Sequence, residues 1–192
     1  MDKSLAKIRH ERSKKDFPGL KLEDDEYVEF AFKRAKICLL LIWGCVAAGL
    51  IIVLTIFLFA IMGQSMIDEM GLNFLFIILA SLLAVALIGG FIASMIYHGN
   101  KLFITNKHAI QMVVTSPTSN SINIIDLSSV EDASFRQNGI MEKFFHYGTL
   151  RLATVGDETT YTFKYSDVKG EELREITKLI SAAKKEAKKK ED

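Results

Sequence analysis

Histidine and cysteine are the residues of this chain that could bind a metal or act as bases and nucleophiles. The four histidines are His10, His98, His108 and His146. No two of them share the spacing of a metal-ligand pair on one predicted element. Cys38 and Cys45 lie in an apolar run, where a free thiol behaves as a small hydrophobic side chain, with palmitoylation of Cys38 as the alternative. The sequence therefore predicts no metal site and no cofactor.

Hydroxyl and carboxylate side chains form no catalytic pattern. The serines between residues 116 and 129 lack the nucleophile-elbow spacing, and no glycine-rich loop is followed by Lys and Ser or Thr. Glu131 and Asp132 are neighbours on a predicted strand, so they point to opposite faces. We therefore predict that the chain is not an enzyme. Its net charge of +1 gives no field that would attract nucleic acid.

Two groups of residues are suited to binding. The first is an apolar and basic segment that could contact a partner or the membrane: Met141, Lys143, Phe144 and Phe145. Closing one end of a hydrophobic core is the alternative for this segment. The second group contains bases that could contact lipid headgroups: Lys101, Lys107 and His108.

Two uncharged runs, residues 37–62 and 72–97, must position these candidates. Each run exceeds the roughly 20 residues that cross a hydrocarbon core, and in lipid the backbone must pair within each helix. We therefore predict a transmembrane hairpin over residues 37–97. Small residues that let helix backbones approach are candidates for its packing: Gly44, Ala48, Ala86, Gly90 and Ser94. Contacts between subunits are the alternative use of these positions.

The distribution of basic residues predicts how the hairpin is oriented. Lys and Arg are abundant before the first run, whereas the connecting loop carries Asp68 and Glu69 and no base. By the positive-inside rule, both termini are cytoplasmic and only the loop lies outside. We expect a multi-pass protein of the cytoplasmic membrane.

Residues 98–192 have the pattern of a small β-rich domain, whereas residues 1–36 are predicted to be a cytoplasmic segment outside it. Six short β-prone runs are separated by turn residues: 101–106, 109–114, 121–127, 130–136, 149–155 and 159–165. In the last run, Tyr161, Phe163 and Tyr165 share one face. Residues from about 168 to 189 are predicted to form a helix with one apolar stripe: Leu173, Ile176, Ile180 and Ala183.

Four short motifs appear in order along the chain: the acidic residues 23–26, then residues 102–108, 124–130 and 144–150. With these motifs the chain resembles bacterial pleckstrin-homology-like domains found beside membrane helices. The resemblance implies an α+β fold, in which a membrane hairpin accompanies a β-barrel or sandwich of seven strands in two sheets, capped by a C-terminal helix. It implies no enzyme activity. The seventh strand lies either in residues 139–147 or before the hairpin.

Three functions fit these observations. The first is a membrane-anchored module that binds itself or another membrane protein. The second is a sensor of anionic lipid at the cytoplasmic leaflet, and the third is a small transport or channel component that acts as an oligomer. The absence of charged side chains at mid-depth in either apolar run argues against the third.

Overall fold

The computed structural model describes residues 3–62, 69–154 and 160–191. Its helices are α1 (Lys3–Asp16), α2 (Lys36–Met62), α3 (Glu69–Gly99), α4 (Ile140–Phe144) and α5 (Gly170–Glu191). Its strands are β1 (Val28–Lys33), β2 (Lys101–Thr105), β3 (His108–Ser116), β4 (Ser119–Asp126), β5 (Val130–Arg136), β6 (Gly148–Thr154) and β7 (Thr160–Ser166). The predicted loop segment 63–68 and the predicted turn at 156–158 lie outside the described residues. The fold is α+β, as predicted.

The two long helices are apolar on all sides. The segments Lys36–Phe59 of α2 and Asn73–Gly99 of α3 are long and apolar enough to cross a membrane. Large side chains point outward on both helices, for example Ile51 at 62% and Phe91 at 67% exposure. A helix that is hydrophobic all round is suited to a protein core or to lipid, and these helices are not buried in a core.

The β domain is divided by the hairpin, which differs from the domain boundary predicted from the sequence. β1 precedes α2 and pairs antiparallel with β2, which follows α3, so that Phe32 lies opposite Leu102. Residues 28–33 therefore belong to the sheet rather than to a separate N-terminal segment. They provide the seventh strand, before the hairpin. The segment 139–147, the other location considered, contains α4 instead.

The strands form two antiparallel sheets that are not closed into a barrel. One has the order β1-β2-β3-β4 and the other has the order β5-β6-β7. Their inner faces meet in one core, whose most buried residues include Ile104, Leu127, Val130, Leu150 and Ile176. Burial of such side chains stabilises a domain by about 1.5–3 kcal/mol each relative to exposure.

α5 covers this core with the apolar stripe predicted from the sequence. Ile176 and Ile180 are buried in the core, and Leu173 and Ala183 pack against it. The helix begins with a cap in which the Glu172 carboxylate accepts a hydrogen bond from the backbone N–H of Lys169 at 2.7 Å.

The alternation predicted for β7 ends before Tyr165. Tyr161 is partly buried and Phe163 is 4% exposed, and both lie on the core side, so these two residues share one face as predicted. The pairing of β6 with β7 shifts register between Gly148 and Leu150. Tyr165 has a left-handed φ of 61° and is 41% exposed. The irregularity removes Tyr165 from the core face, and that part of the prediction is wrong.

The N-terminal helix α1 docks on the first sheet. The hydroxyl oxygen of Ser13 accepts a hydrogen bond from the backbone N–H of Val28 at 3.0 Å. After the helix, the ring of Phe17 packs edge-on against Phe103, with 5.1 Å between ring centroids. A second, smaller hydrophobic cluster around Leu20, Phe103 and Ile110 results.

Candidate functional site

The connections between the hairpin and the first sheet are very short. Only Arg34 and Ala35 separate β1 from α2, and Asn100 alone separates α3 from β2. The Asn100 side chain is 3% exposed, and its Nδ2 donates to the carbonyl oxygens of Ile96 at 2.7 Å and Val114 at 2.9 Å. Because Asn100 joins the end of α3 to the neighbouring strand, the sheet and the helix are held in one orientation.

A second set of contacts fixes the start of α2. The Tyr97 hydroxyl donates to the Arg34 carbonyl oxygen at 2.8 Å, and the Ala35 backbone N–H donates to the Tyr165 carbonyl oxygen at 2.6 Å. Arg34 also forms an isolated antiparallel bridge with Ser166. Its guanidinium carbon lies 5.9 Å from the centroid of the Tyr165 ring. The second sheet is thereby tied to the same junction.

Two openings lie at this junction. A cleft of about 910 Å³ is bounded by β1, the start of α2 and residues near α4 and α5. A smaller groove of about 380 Å³ runs between α2, α3 and Tyr165. Arg34 lines both. Arg34 and Tyr97 have no local sequence signal, because the strands and helices that meet there are distant in sequence.

The segment around α4 presents an exposed apolar surface, which we call the α4 patch: Ile140, Met141, Phe144 and Phe145. Their exposed fractions are 87%, 60%, 73% and 41%, in that order. Phe145 also lines the cleft together with Ile37 and Leu40 of α2. The α4 patch therefore lies beside the first turns of a long apolar helix rather than at the end of the core. Lys143, next to the patch in sequence, is also exposed.

The backbone around α4 is fixed by polar contacts on its other side. Gln137 Nε2 donates to the carbonyl oxygens of Glu142 at 3.2 Å and Tyr147 at 3.1 Å. The backbone N–H of Asn138 donates to the Glu142 carboxylate. These contacts hold the short helix with its apolar side chains outward, so their exposure does not require a mobile loop.

Two of the three predicted headgroup bases are already in contact with acidic groups of the chain. Lys107 Nζ lies 3.3 Å from a carboxylate oxygen of Glu23 and donates to the Asp24 carbonyl oxygen at 3.0 Å. His108 Nδ1 lies 2.9 Å from Glu26 Oε1. The acidic motif at residues 23–26 and the turn after β2 thus form a single cluster.

Glu26 is the centre of that cluster and is 1% exposed. Burial raises the pKa of its carboxyl. Hydrogen bonds from the Thr105 hydroxyl at 2.6 Å, from the Glu23 backbone N–H at 2.9 Å and from His108 outweigh burial, so that the pKa lies below its ordinary value of 4.5. The carboxylate is therefore held in its charged form and fastens the segment before β1 to the β2–β3 turn.

Lys101, the third predicted base, lies opposite Lys33 in the pairing of β1 with β2. It is partly buried, and none of the hydrogen bonds and ion pairs found within residues 3–62, 69–154 and 160–191 occupies its ammonium group. The three bases therefore do not form one open basic pocket.

The predicted packing residues divide between the two helices. On α3, the Ser94 hydroxyl oxygen accepts from Trp43 Nε1 at 3.1 Å, and Gly90 is buried against Trp43 and Val46, while Ala86 is partly buried. A methyl group on Gly90 would approach Val46 to 3.3 Å.

On α2, Gly44 and Ala48 are exposed, and a side-chain carbon on Gly44 would meet nothing within 4 Å. Gly44 and Ala48 were predicted to pack within the hairpin, and for these two residues the prediction is wrong. The reason is that α2 approaches α3 through the larger Trp43, Val46 and Phe57, whose ring packs against Phe76 at 5.3 Å.

The histidines and cysteines do not gather into a metal site in the described part of the chain, where no group of three or more potential ligands is present. His10 Nδ1 contacts the Glu26 carbonyl oxygen at 2.6 Å, and the ring of His98 packs on Tyr97. Cys45 is exposed on α2.

Comparisons with known proteins give little further information. No family model matches the chain, and no curated protein matches it. Among solved structures, it is similar to a DUF1696 family protein with a pleckstrin-homology domain from Shewanella loihica PV-4. The two are 17% identical, with a TM-score of 0.33, over 44% of this chain and 70% of the other. At that TM-score the similarity supports no assignment of fold family or function.

Proposed function

We propose that this chain is a non-enzymatic module anchored in the cytoplasmic membrane by α2 and α3. Its pleckstrin-like domain lies at the cytoplasmic face. The α4 patch there binds a second protein that is itself embedded in the membrane. The function is assembly of a membrane complex rather than chemistry on a small substrate.

The observation that carries this proposal is the exposure of the α4 patch beside α2. Ile140 is 87% and Phe144 is 73% exposed, although the surrounding backbone is fixed by hydrogen bonds. Rigid, adjacent apolar side chains on a soluble surface are typical of binding sites. Because Phe145 and Leu40 line the same cleft, a partner seated on the patch would also reach the start of α2. This geometry favours a partner with membrane helices of its own.

The split sheet supports a hairpin with both ends on one side of the membrane. β1 and β2 are paired antiparallel, and they are joined to α2 and α3 by two residues and one residue. If the helices span the bilayer, strand pairing requires the chain to leave and return at the same face. The abundance of Lys and Arg before α2 makes that face the cytoplasmic one.

The anionic-lipid alternative has less support at the residues first considered for it. Lys107 and His108 contact Glu23 and Glu26, so an incoming headgroup would have to displace carboxylates that are already in place.

A photo-crosslinking experiment in native membranes tests the proposal. A photoreactive amino acid replaces Phe144 in the full chain, and a matched control replaces Ile122, which is 56% exposed on β4. We expect a discrete protein adduct from position 144 and none from position 122. Met141→Ser should abolish the adduct, whereas Ile124→Ser should not.

The same experiment separates the alternatives. Adducts to lipid alone from position 144 would show that the α4 patch lies in the bilayer interface and would contradict the proposed protein partner. An adduct of twice the chain's mass would identify a second copy as the partner. Equal adducts from positions 122 and 144 would show that the patch has no specificity.

A further inference from the structure

The cleft and the groove at the base of the hairpin have complementary linings. The cleft is lined by residues of both charges as well as apolar ones, and its charged residues are Glu29, Lys33, Arg34, Lys36, Asp167 and Glu172. The groove beyond Arg34 is lined mainly by apolar side chains of the two long helices, among them Leu41, Ile42, Ala93 and Ile96. Arg34 thus lies between a cleft that contains charged residues and an apolar groove between the helices.

The side chain of Arg34 has a buried donor without an acceptor in the described part of the chain. Its Nε is buried and has no hydrogen-bond partner among the residues that the structure describes. Its guanidinium lies over the Tyr165 ring, and its backbone is held by Tyr97 and by the bridge to Ser166. Buried N–H groups are rarely left unpaired in proteins, and a guanidinium is shaped to bind a phosphate through parallel hydrogen bonds.

The position of this arginine points to the source of the phosphate. α2 starts two residues after Arg34, and the groove lies between the first turns of α2 and the last turns of α3. In a spanning hairpin this level is the headgroup region of the leaflet, where basic pockets between helices bind lipid headgroups. An acyl chain attached to such a phosphate would enter the groove between Leu41 and Ala93.

We infer that the two openings form a single phospholipid site that prefers a headgroup carrying an ammonium group. The phosphate is held by Arg34 and Lys36, the ammonium group faces Asp167, and one acyl chain occupies the groove. The other two carboxylates have partners in the chain, since Glu29 pairs with Arg9 at 3.1 Å and Glu172 caps α5. Asp167 and Glu172 keep negative charge beside Arg34 and Lys36, so a headgroup that also carries an ammonium group gains more there than one with a net negative charge. This inference depends on the membrane insertion proposed above, but not on the protein partner of the α4 patch.

Native mass spectrometry of the full chain released from detergent tests the site. Equal amounts of dioleoyl phosphatidylethanolamine and dioleoyl phosphatidylglycerol are titrated into the same sample. We expect one bound lipid per chain, with phosphatidylethanolamine preferred. Arg34→Gln should lower the retained fraction about tenfold, since it removes charge-assisted hydrogen bonds to the phosphate. Arg136→Gln, an exposed arginine on β5, is the matched control and should bind as the unmodified chain does.

Two further variants separate the parts of the site. Asp167→Asn should keep lipid binding but reduce the preference for phosphatidylethanolamine over phosphatidylglycerol. Ala93→Phe fills the groove and leaves every charge in place, and it should release the lipid even if Arg34→Gln fails to fold.

Three results would overturn the inference: unchanged lipid retention in both Arg34→Gln and Ala93→Phe, an equal or greater affinity for phosphatidylglycerol in the unmodified chain, or several lipids bound without discrimination. A chain recovered in the soluble fraction would instead contradict the membrane insertion itself. The two failures are therefore distinguishable.

Discussion

The hydroxyl of Tyr97, near the end of α3, donates a hydrogen bond of 2.8 Å to the carbonyl oxygen of Arg34, immediately before α2. This contact closes the base of the hairpin at the level where the two helices join neighbouring strands. Tyr97 is 8% exposed, so the bond is largely protected from water. Together with the connections of one and two residues, this bond holds the base of the hairpin against the domain.

Removing that hydroxyl should loosen the base of the hairpin. Tyr97→Phe leaves the Arg34 carbonyl without its donor, and we expect the free energy of unfolding to fall by about 1 kcal/mol. Thermal unfolding of the full chain in detergent measures the loss. Tyr161→Phe is the matched control, because its hydroxyl makes no hydrogen bond within the described ranges, and it should be nearly neutral. Equal loss in both variants would argue against a specific role for Tyr97.

Gly99 lets α3 pass close to the first sheet. A side-chain carbon there would lie 2.5 Å from Cγ2 and 2.9 Å from Cβ of Val114. Gly99→Ala should therefore destabilise the chain by about 1–3 kcal/mol, as overpacking does. Gly89→Ala lies in the same helix, where a side-chain carbon meets nothing within 4 Å, and it should not destabilise. Chemical denaturation of both variants gives the comparison; a stable Gly99→Ala protein would show that the contact is not tight.

The Glu26 carboxylate should make docking of the N-terminal segment depend on pH. Because the folded pKa lies below the ordinary value of 4.5, its contribution is fully present above that value. The contribution is lost as the pH falls through the folded pKa. Limited proteolysis after Lys14 and Lys15 should accelerate in acid, whereas Glu26→Gln should be fast at every pH, with no acid step from this site. An acid step of unchanged size in Glu26→Gln would assign the effect to other groups.

A hydrogen bond between α2 and α3 joins Trp43 to Ser94. Ser94→Ala should weaken packing of the hairpin by about 0.6 kcal/mol, the average for such bonds in membranes. Ser81→Ala is the matched control, since the Ser81 hydroxyl donates to the carbonyl oxygen of Ile78 within α3. Trp43 fluorescence during unfolding reports the contact. A shift caused by Ser81→Ala and not by Ser94→Ala would contradict it.

The sequence was sufficient to predict the elements whose signals are local. Uncharged runs identified α2 and α3, short β-prone runs between turn residues identified six strands, and the stripe with Ile176 and Ile180 identified the covering helix. β1 was predicted only as one of two locations for the seventh strand, because its partner β2 lies beyond the hairpin. α1 was missed because it has no apolar stripe. Both depend on contacts that no local pattern reveals.

Contacts distant in sequence also limited the prediction of the candidate site. Lys107 and His108 have the composition of a headgroup site, but their partners Glu23 and Glu26 lie far upstream. His108 is 82 positions after Glu26. Phe144 and its neighbours were identified by composition alone. Whether these side chains are exposed depends on how the backbone of α4 is held, which their composition does not show.

Cysteine accessibility measures whether a membrane hairpin interrupts the sheet with both of its ends on the cytoplasmic side. Single reporters are introduced by Ser4→Cys, Ser65→Cys and Ser119→Cys, in a background with Cys38→Ala and Cys45→Ala. A membrane-impermeant maleimide should label position 65 only in intact cells, and positions 4 and 119 only in inverted vesicles. Labelling of position 119 in intact cells, or of positions 4 and 119 from opposite sides, would contradict the account.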